Sequence, residues 1–184
     1  MYAFNPDKID AKFIELLATV EDTNLREAMR RRLKRNSHLV VGAILVDKHH
    51  KICLVQEAKG PWAGKWNIPL GHLEHGETMP AGAKREVKEE TGYDVELTSL
   101  LPLQNASCEN VFRVLYIGQV VGGSPDERIK TDTSAVEWFT FDEIQRKLTN
   151  KELRDVGAWY DVLLYQNSIQ LPLDTIKEVE YTEL

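Results

Sequence analysis

Residues 71–93 read GHLEHGETMPAGAKREVKEETGY, opened by one glycine, closed by another and rich in acids in the second half. Glu86, Glu89 and Glu90 stand at i, i+3 and i+4, so a helix across them sets three carboxylates on one face. Like charges side by side repel, and selection for stability alone rarely assembles them. A hard divalent cation, Mg2+ or Mn2+, takes oxygen ligands and offsets that repulsion. Thr78 is a fair N-cap, Pro80 suits the first turn, and Gly92 follows Thr91 where a left-handed stop is expected. Ala81, Ala83 and Val87 supply the buried side. Lys84 and Lys88 can weaken the repulsion as helix neighbours, but they leave the spaced glycines, Glu77 and Arg85 unexplained.

Upstream of this stretch the period changes to that of strands. HLVVGAILV and KICLVQEA are β-rich runs separated by DKHHK, which reads as a hairpin with His49 and His50 as solvated turn residues. AKGPWAGKW, residues 58–66, is a loop leading into a short strand, WNIPLG. Trp62 and Trp66 flank that loop, as packing anchors or as platforms for a base. Further upstream, Ile9, Phe13, Leu16, Leu17 and Val20 form one helical face, and Leu25, Ala28, Met29 and Leu33 form a second. A helical hairpin is therefore expected over residues 1–35. Its stretch REAMRRRLKR, residues 26–35, reads as a solvated basic face, with substrate phosphate or a partner subunit as the alternative, and a dimer arm is compatible.

Downstream, YDVELTSLLPL and NVFRVLYIGQVV read as two long strands, GGSPDERIKTDTSA as a polar loop and VEWFTF as a further strand. DEIQRKL begins a short helix with Asp142 as its expected cap. NKELRDVGAWYDVLLYQ reads as a longer helix with Leu153, Val156, Trp159, Tyr160, Leu163 and Leu164 on its apolar face. These elements predict an α/β sandwich with a mixed sheet. No GxGxxG follows a strand and no GxxxxGK[ST] occurs, so dinucleotide-fold and P-loop readings have no support.

The 184 residues are 42% hydrophobic and 28% charged, the balance of a chain that buries a core and not of a disordered one. The net charge of −6 speaks against nonspecific binding of nucleic acid or of an acidic membrane. With no apolar run of the roughly 18 residues a membrane helix needs, and no signal-peptide pattern at MYAFNPDKID, a cytoplasmic location is expected. Cys53 and Cys108 lie in apolar runs without metal-ligand spacing and are expected to be reduced core residues.

With these residues in place, the central stretch resembles the signature of the Nudix hydrolases. That pattern is Gly, five residues, Glu, seven residues, then Arg-Glu-aliphatic-any-Glu-Glu-any-Gly-aliphatic. It falls on Gly71, Glu77, Arg85, Glu86, Val87, Glu89, Glu90, Gly92 and Tyr93, and only Tyr93 departs from it, at a packing position. The resemblance implies a Nudix α/β/α sandwich with a mixed β-sheet over residues 36–165. The helical extension of 1–35 and a C-terminal tail of 166–184 lie outside it.

The resemblance also implies roles. Glu86, Glu89 and Glu90 look like metal-binding carboxylates for Mg2+ or Mn2+, joined by the backbone at Leu70 and Gly71. Glu77 and Arg85 look like an ion pair that orients them. Asp132, with Glu137 as the alternative, is the candidate for a distant acid that takes a proton from the attacking water. Glu74 and Glu57 are possible aids to metal binding, and His72 and His75 flank the loop where phosphate would sit. The implied activity is Mg2+-dependent hydrolysis of a nucleoside di- or triphosphate derivative. LVQEAKG, GKW and GHLE-HGET are similar to diphosphatases of oxidised guanine nucleotides such as 8-oxo-dGDP. PLGHLE and EETG are similar to enzymes of thiamine diphosphate and small nucleotides. Phe112 and Arg113 face either a base or the structure itself. A non-catalytic nucleotide-binding regulator is the rival reading, disfavoured because such proteins usually lose a signature acid and this chain keeps them all.

Overall fold

The structure, a computed structural model, describes residues 38–106, 111–127 and 132–177. The helical hairpin expected over residues 1–35 and Cys108 lie outside the described residues.

Two sheets carry the fold. The first is built from β1 (His38–Leu45), β4 (Leu70–His72), β5 (Tyr93–Leu100), β6 (Gln104–Ala106) and β7 (Val111–Gly123), with the path β4-β1-β7-β5 and β6 paired to β7. The second is β3 (Trp66–Asn67), β2 (Ile52–Glu57) and β8 (Thr133–Phe139), in that order. Helices α1 (Met79–Thr91), α2 (Phe141–Thr149) and α3 (Val156–Gln166) complete the α/β architecture. No helix among the described residues is long and apolar enough to cross a membrane.

Strand alternation divides the interior in two. Ile44, Leu115 and Ile117 of the first sheet meet Ile52, Leu54 and Phe139 of the second, with Ile144 and Val162 from α2 and α3 closing that core. On the opposite face Val41, Ala43, Leu45, Val114 and Tyr116 pack against Ala83 and Val87 of α1. Each fully buried Leu, Ile or Val contributes about 1.5–3 kcal/mol, and the second cluster is what holds α1 against the sheet. Cys53 is buried with a free thiol, and burial pushes that thiol far above its ordinary range, so it is inert.

The central helix forms for local reasons. Thr78 Oγ1 accepts from Ala81 N at 3.3 Å, proline occupies the first turn, and Gly92 ends the helix at φ 76°, a left-handed conformation that glycine adopts at no steric cost.

Four expectations need correction. WNIPLG is not one strand: it divides at Ile68-Pro69 into β3 and β4, which belong to different sheets, because Pro69 lacks the N–H that would continue a ladder. Asp142 is not the cap of α2. Thr140 is, through a reciprocal box in which Thr140 Oγ1 accepts from Glu143 N and Glu143 Oε2 accepts from Thr140 N at 2.7 Å. Asp155 caps the last long helix, accepting from Ala158 N at 3.1 Å, so that helix starts at Val156 and not near Asn150. Residues 151–155 instead form a strap: Trp66 N donates to Glu152 O at 2.9 Å and Arg154 N to Trp66 O at 2.8 Å. Lastly, strand β6, missed in the sequence, pairs Gln104 with Arg113.

Candidate functional site

The loop between β4 and α1 and the edge of α1 that faces it make the candidate site. Strand β4 pairs antiparallel with β1, Gly71 opposite Val41 and Leu70 opposite Gly42, which fixes the loop's entry. α1 buries Ala83 and Val87, and the 3.6-residue period then turns Arg85, Glu86, Glu89 and Glu90 toward that loop.

Arg85 sits at the centre. Its Nε and Nη2 donate to Glu77 at 3.0 and 2.6 Å, a two-point pair matched to the planar guanidinium. Its Nη1 donates to Glu86 Oε1 at 2.8 Å and Glu89 Oε2 at 3.3 Å, and its Nη2 also reaches the backbone oxygen of His72 at 3.0 Å. Glu77 in turn accepts from Glu74 N at 2.7 Å, so one arginine ties both ends of the loop to the helix. The Arg85 hydrogen bond holds the Glu77 carboxyl below the usual carboxylate range, and Glu77 pushes the guanidinium further up.

Glu86 is almost wholly buried, its side chain 4% exposed against 24% for Glu89. A Cβ at Gly71 would run into the Glu86 carboxylate, so glycine there is what lets backbone and carboxylate approach. Glu90 accepts from Leu70 N at 3.2 Å, which brings the third acid to the same loop. Arg85 thus reaches Glu77, Glu86 and Glu89 together. The donor set is all oxygen, with a backbone cradle that a Cβ would fill, and it fits a hard divalent cation. Among the described residues no three acid, histidine or cysteine side chains are already drawn together as an ion cage. Arg85 takes oxygens of two of the acids and Leu70 N–H an oxygen of the third.

The other candidates have surroundings of their own. Asp132 pairs with Lys59 at 2.5 Å, and its backbone oxygen accepts from Ala58 N at 2.7 Å, so it is held at the end of β2. Glu137 is exposed on β8 opposite Leu54. Glu57 pairs with Arg154 of the strap at 2.9 Å. Glu74 comes no nearer Arg85 than 4.0 Å and is 70% exposed. His72 at the end of β4 and His75 on the loop are exposed, as are His49 and His50 on the β1–β2 turn. Trp66 is a packing anchor: it meets Phe139 edge-on at 4.9 Å and carries Lys147 over its ring, whereas Trp62 remains exposed.

Asn67 is a residue the sequence reading passed over. It is buried beside Trp66 on β3, and its Oδ1 is a buried acceptor with no hydrogen-bond partner. An isolated asparagine in a two-residue strand carries no pattern that would have flagged it.

Comparison with known proteins gives the family. The model for the NUDIX domain matches residues 36–160, and the chain belongs to the Nudix family. A solved NUDIX hydrolase from Nitrosomonas europaea is 30% identical, with a TM-score of 0.71 over 78% of this chain and 97% of that one. "Putative nudix hydrolase 1" of Caenorhabditis elegans is 32% identical over 163 residues, 87% of this chain and 44% of that protein. The human "8-oxo-dGDP phosphatase NUDT18" is 32% identical over 110 residues, 59% of this chain and 34% of that protein. The chain thus spans less than half the length of these two curated relatives.

Proposed function

We propose that the chain is a metal-dependent pyrophosphohydrolase that cleaves the diphosphate linkage of a nucleotide derivative, with oxidised guanine nucleoside diphosphates as the leading substrates. The observation that carries this is the Glu86 carboxylate, buried against Gly71 and braced by Arg85 beside Glu89 and Glu90. Burying a carboxylate costs free energy unless it is bound, and three glutamates drawn to a glycine backbone that a Cβ would block offer the all-oxygen set that suits a hard cation. The likeness to the human 8-oxo-dGDP phosphatase supports the substrate class.

In this reading Glu86, Glu89, Glu90 and the backbone at Leu70–Gly71 hold Mg2+ or Mn2+. A cation held there would offset diphosphate charge and ease deprotonation of a water to the attacking hydroxide. Arg85 and Glu77 keep the carboxylates aimed, as groups behind metal ligands do. One glutamate of the cluster, or Asp132 from the loop before β8, would take the water's proton.

The test is Mg2+-dependent phosphate release from a panel of ordinary and 8-oxo-guanine nucleoside di- and triphosphates, ADP-ribose, a dinucleoside polyphosphate and thiamine diphosphate. One substrate turned over far faster than the rest, and lost in Glu86→Gln, is the expected result. Nucleotide binding without turnover of any compound would make the chain a binding module instead.

A further inference from the structure

Asn67 carries an amide that the reaction above leaves unused. The residue is 4% exposed, and its Oδ1 is enclosed with no hydrogen-bond partner, one of two such side-chain atoms among the described residues. Nδ2 is not enclosed with it, so the amide sits just beneath the surface and not deep in a core. A buried acceptor without a donor costs free energy, and leucine would fill the same volume without that cost. Asparagine at such a position implies a donor that comes from outside the chain.

The amide lies on the face of the second sheet that packs with α1. Trp66 turns into the first core, so Asn67, its neighbour on β3, turns the other way. Asn67 stands opposite Val55, and Val55 opposite Val136, so the three share one face. On that face Val136 and Cys53 pack with Ala83 and Val87 of α1, the helix that bears Glu86, Glu89 and Glu90. The two places are also close along the chain. Leu70, whose N–H donates to Glu90 Oε2, is three residues from Asn67, at most about 11 Å of extended backbone.

What the amide takes follows from which groups can donate. The cations of the neighbouring segments are engaged: Lys65 with the oxygen of Lys151 at 2.5 Å, Arg154 with Glu57 at 2.9 Å, and Arg85 with Glu77, Glu86 and Glu89. An ionised diphosphate offers only acceptors and so cannot satisfy Oδ1. A small divalent ion keeps several of its waters, and a water on a cation turns its hydrogens outward. We propose that Asn67 is a positioning residue of the cation site, its Oδ1 accepting from a water carried by the ion that Glu86, Glu89 and Glu90 hold. The neutral amide supplies that acceptor without a further negative charge to bury. This rests on the cation reading above and deepens it with an acceptor outside the helix and the loop.

The test is calorimetric titration of the full chain with Mn2+ and with Mg2+, the fold of each variant checked by circular dichroism. Asn67→Leu should lower metal affinity by about three- to tenfold, the worth of one neutral hydrogen bond. Asn67→Asp returns an acceptor and should bind the ion at least as tightly as wild type. Asn67→Ala should show the same loss as leucine and serves if leucine is not accommodated. A folded variant without the amide that binds metal as wild type does overturns the inference, and so does a loss that aspartate fails to restore. Glu86→Gln separates the two readings. Binding that is lost there but kept in Asn67→Leu sinks this inference alone; wild-type binding that Glu86→Gln leaves intact, or a wild type that binds neither ion, sinks the cation reading and this one with it.

Discussion

Arg85 of α1 and Glu77, at the end of the loop before that helix, are joined by two parallel hydrogen bonds of 3.0 and 2.6 Å, and the same guanidinium touches Glu86 and Glu89. The loop's shape and the aim of the carboxylates are therefore one property. Arg85→Lys keeps the charge but cannot make the fork. We expect divalent-metal affinity to fall by about ten- to a hundredfold, read by calorimetry, with a small change in melting temperature.

The Glu77 carboxyl sits below its unfolded value because Arg85 binds the charged form. Between the two values the unfolded chain holds more protons, so stability from this pair is full above about pH 4.3 and is lost as pH falls through the folded value. Urea midpoints measured from pH 6 down to pH 3 should fall less steeply for Glu77→Gln than for wild type. Equal slopes would mean that the pair contributes nothing to acid sensitivity.

Gly71→Ala places a methyl group where the Glu86 carboxylate lies. The carboxylate is the movable partner, so the fold should survive while the ligand is displaced. A loss of about a hundredfold in kcat, with circular dichroism unchanged, is expected. Retained activity would remove the close approach of Gly71 and Glu86 from the argument.

Burial pushes the Asp161 carboxyl up to about 6, against the pull of Arg113 and Gln104. A folded value above the unfolded one means that this group's contribution is full below about pH 4 and is lost as pH rises through about 6. A carbon-detected titration of Asp161 should place its midpoint there, and Arg113→Met should move it higher. At pH 7 that variant should also cost about 3–5 kcal/mol, because it strands a buried acid, and adding Asp161→Leu should restore most of it.

The cap of α2 separates two acidic-end candidates cleanly. Thr140→Ala should cost about 1 kcal/mol in chemical denaturation, since it removes the acceptor of Glu143 N. Asp142→Ala should stay within about 0.5 kcal/mol. The reverse order would return the cap to Asp142.

What the sequence determined by itself is α1 and its acidic edge. Thr78, Pro80 and Gly92 act within one or two turns, and the spacing of Glu86, Glu89 and Glu90 becomes geometry as soon as a helix forms, so no distant contact is needed. The family followed from that same local pattern. Only tertiary structure decided where the remaining charges went. Asp132 met Lys59, Glu57 met Arg154 and Asp161 met Arg113 across 73, 97 and 48 positions of chain, and no local pattern encodes such pairings. The division of WNIPLG between two sheets is of the same kind: Pro69 interrupts the ladder locally, but which strand each half then joins depends on partners far along the chain. Periodicity and capping are short-range and survive in a sequence read alone; strand partnership and ion-pair choice are settled by packing, after the chain has closed on itself.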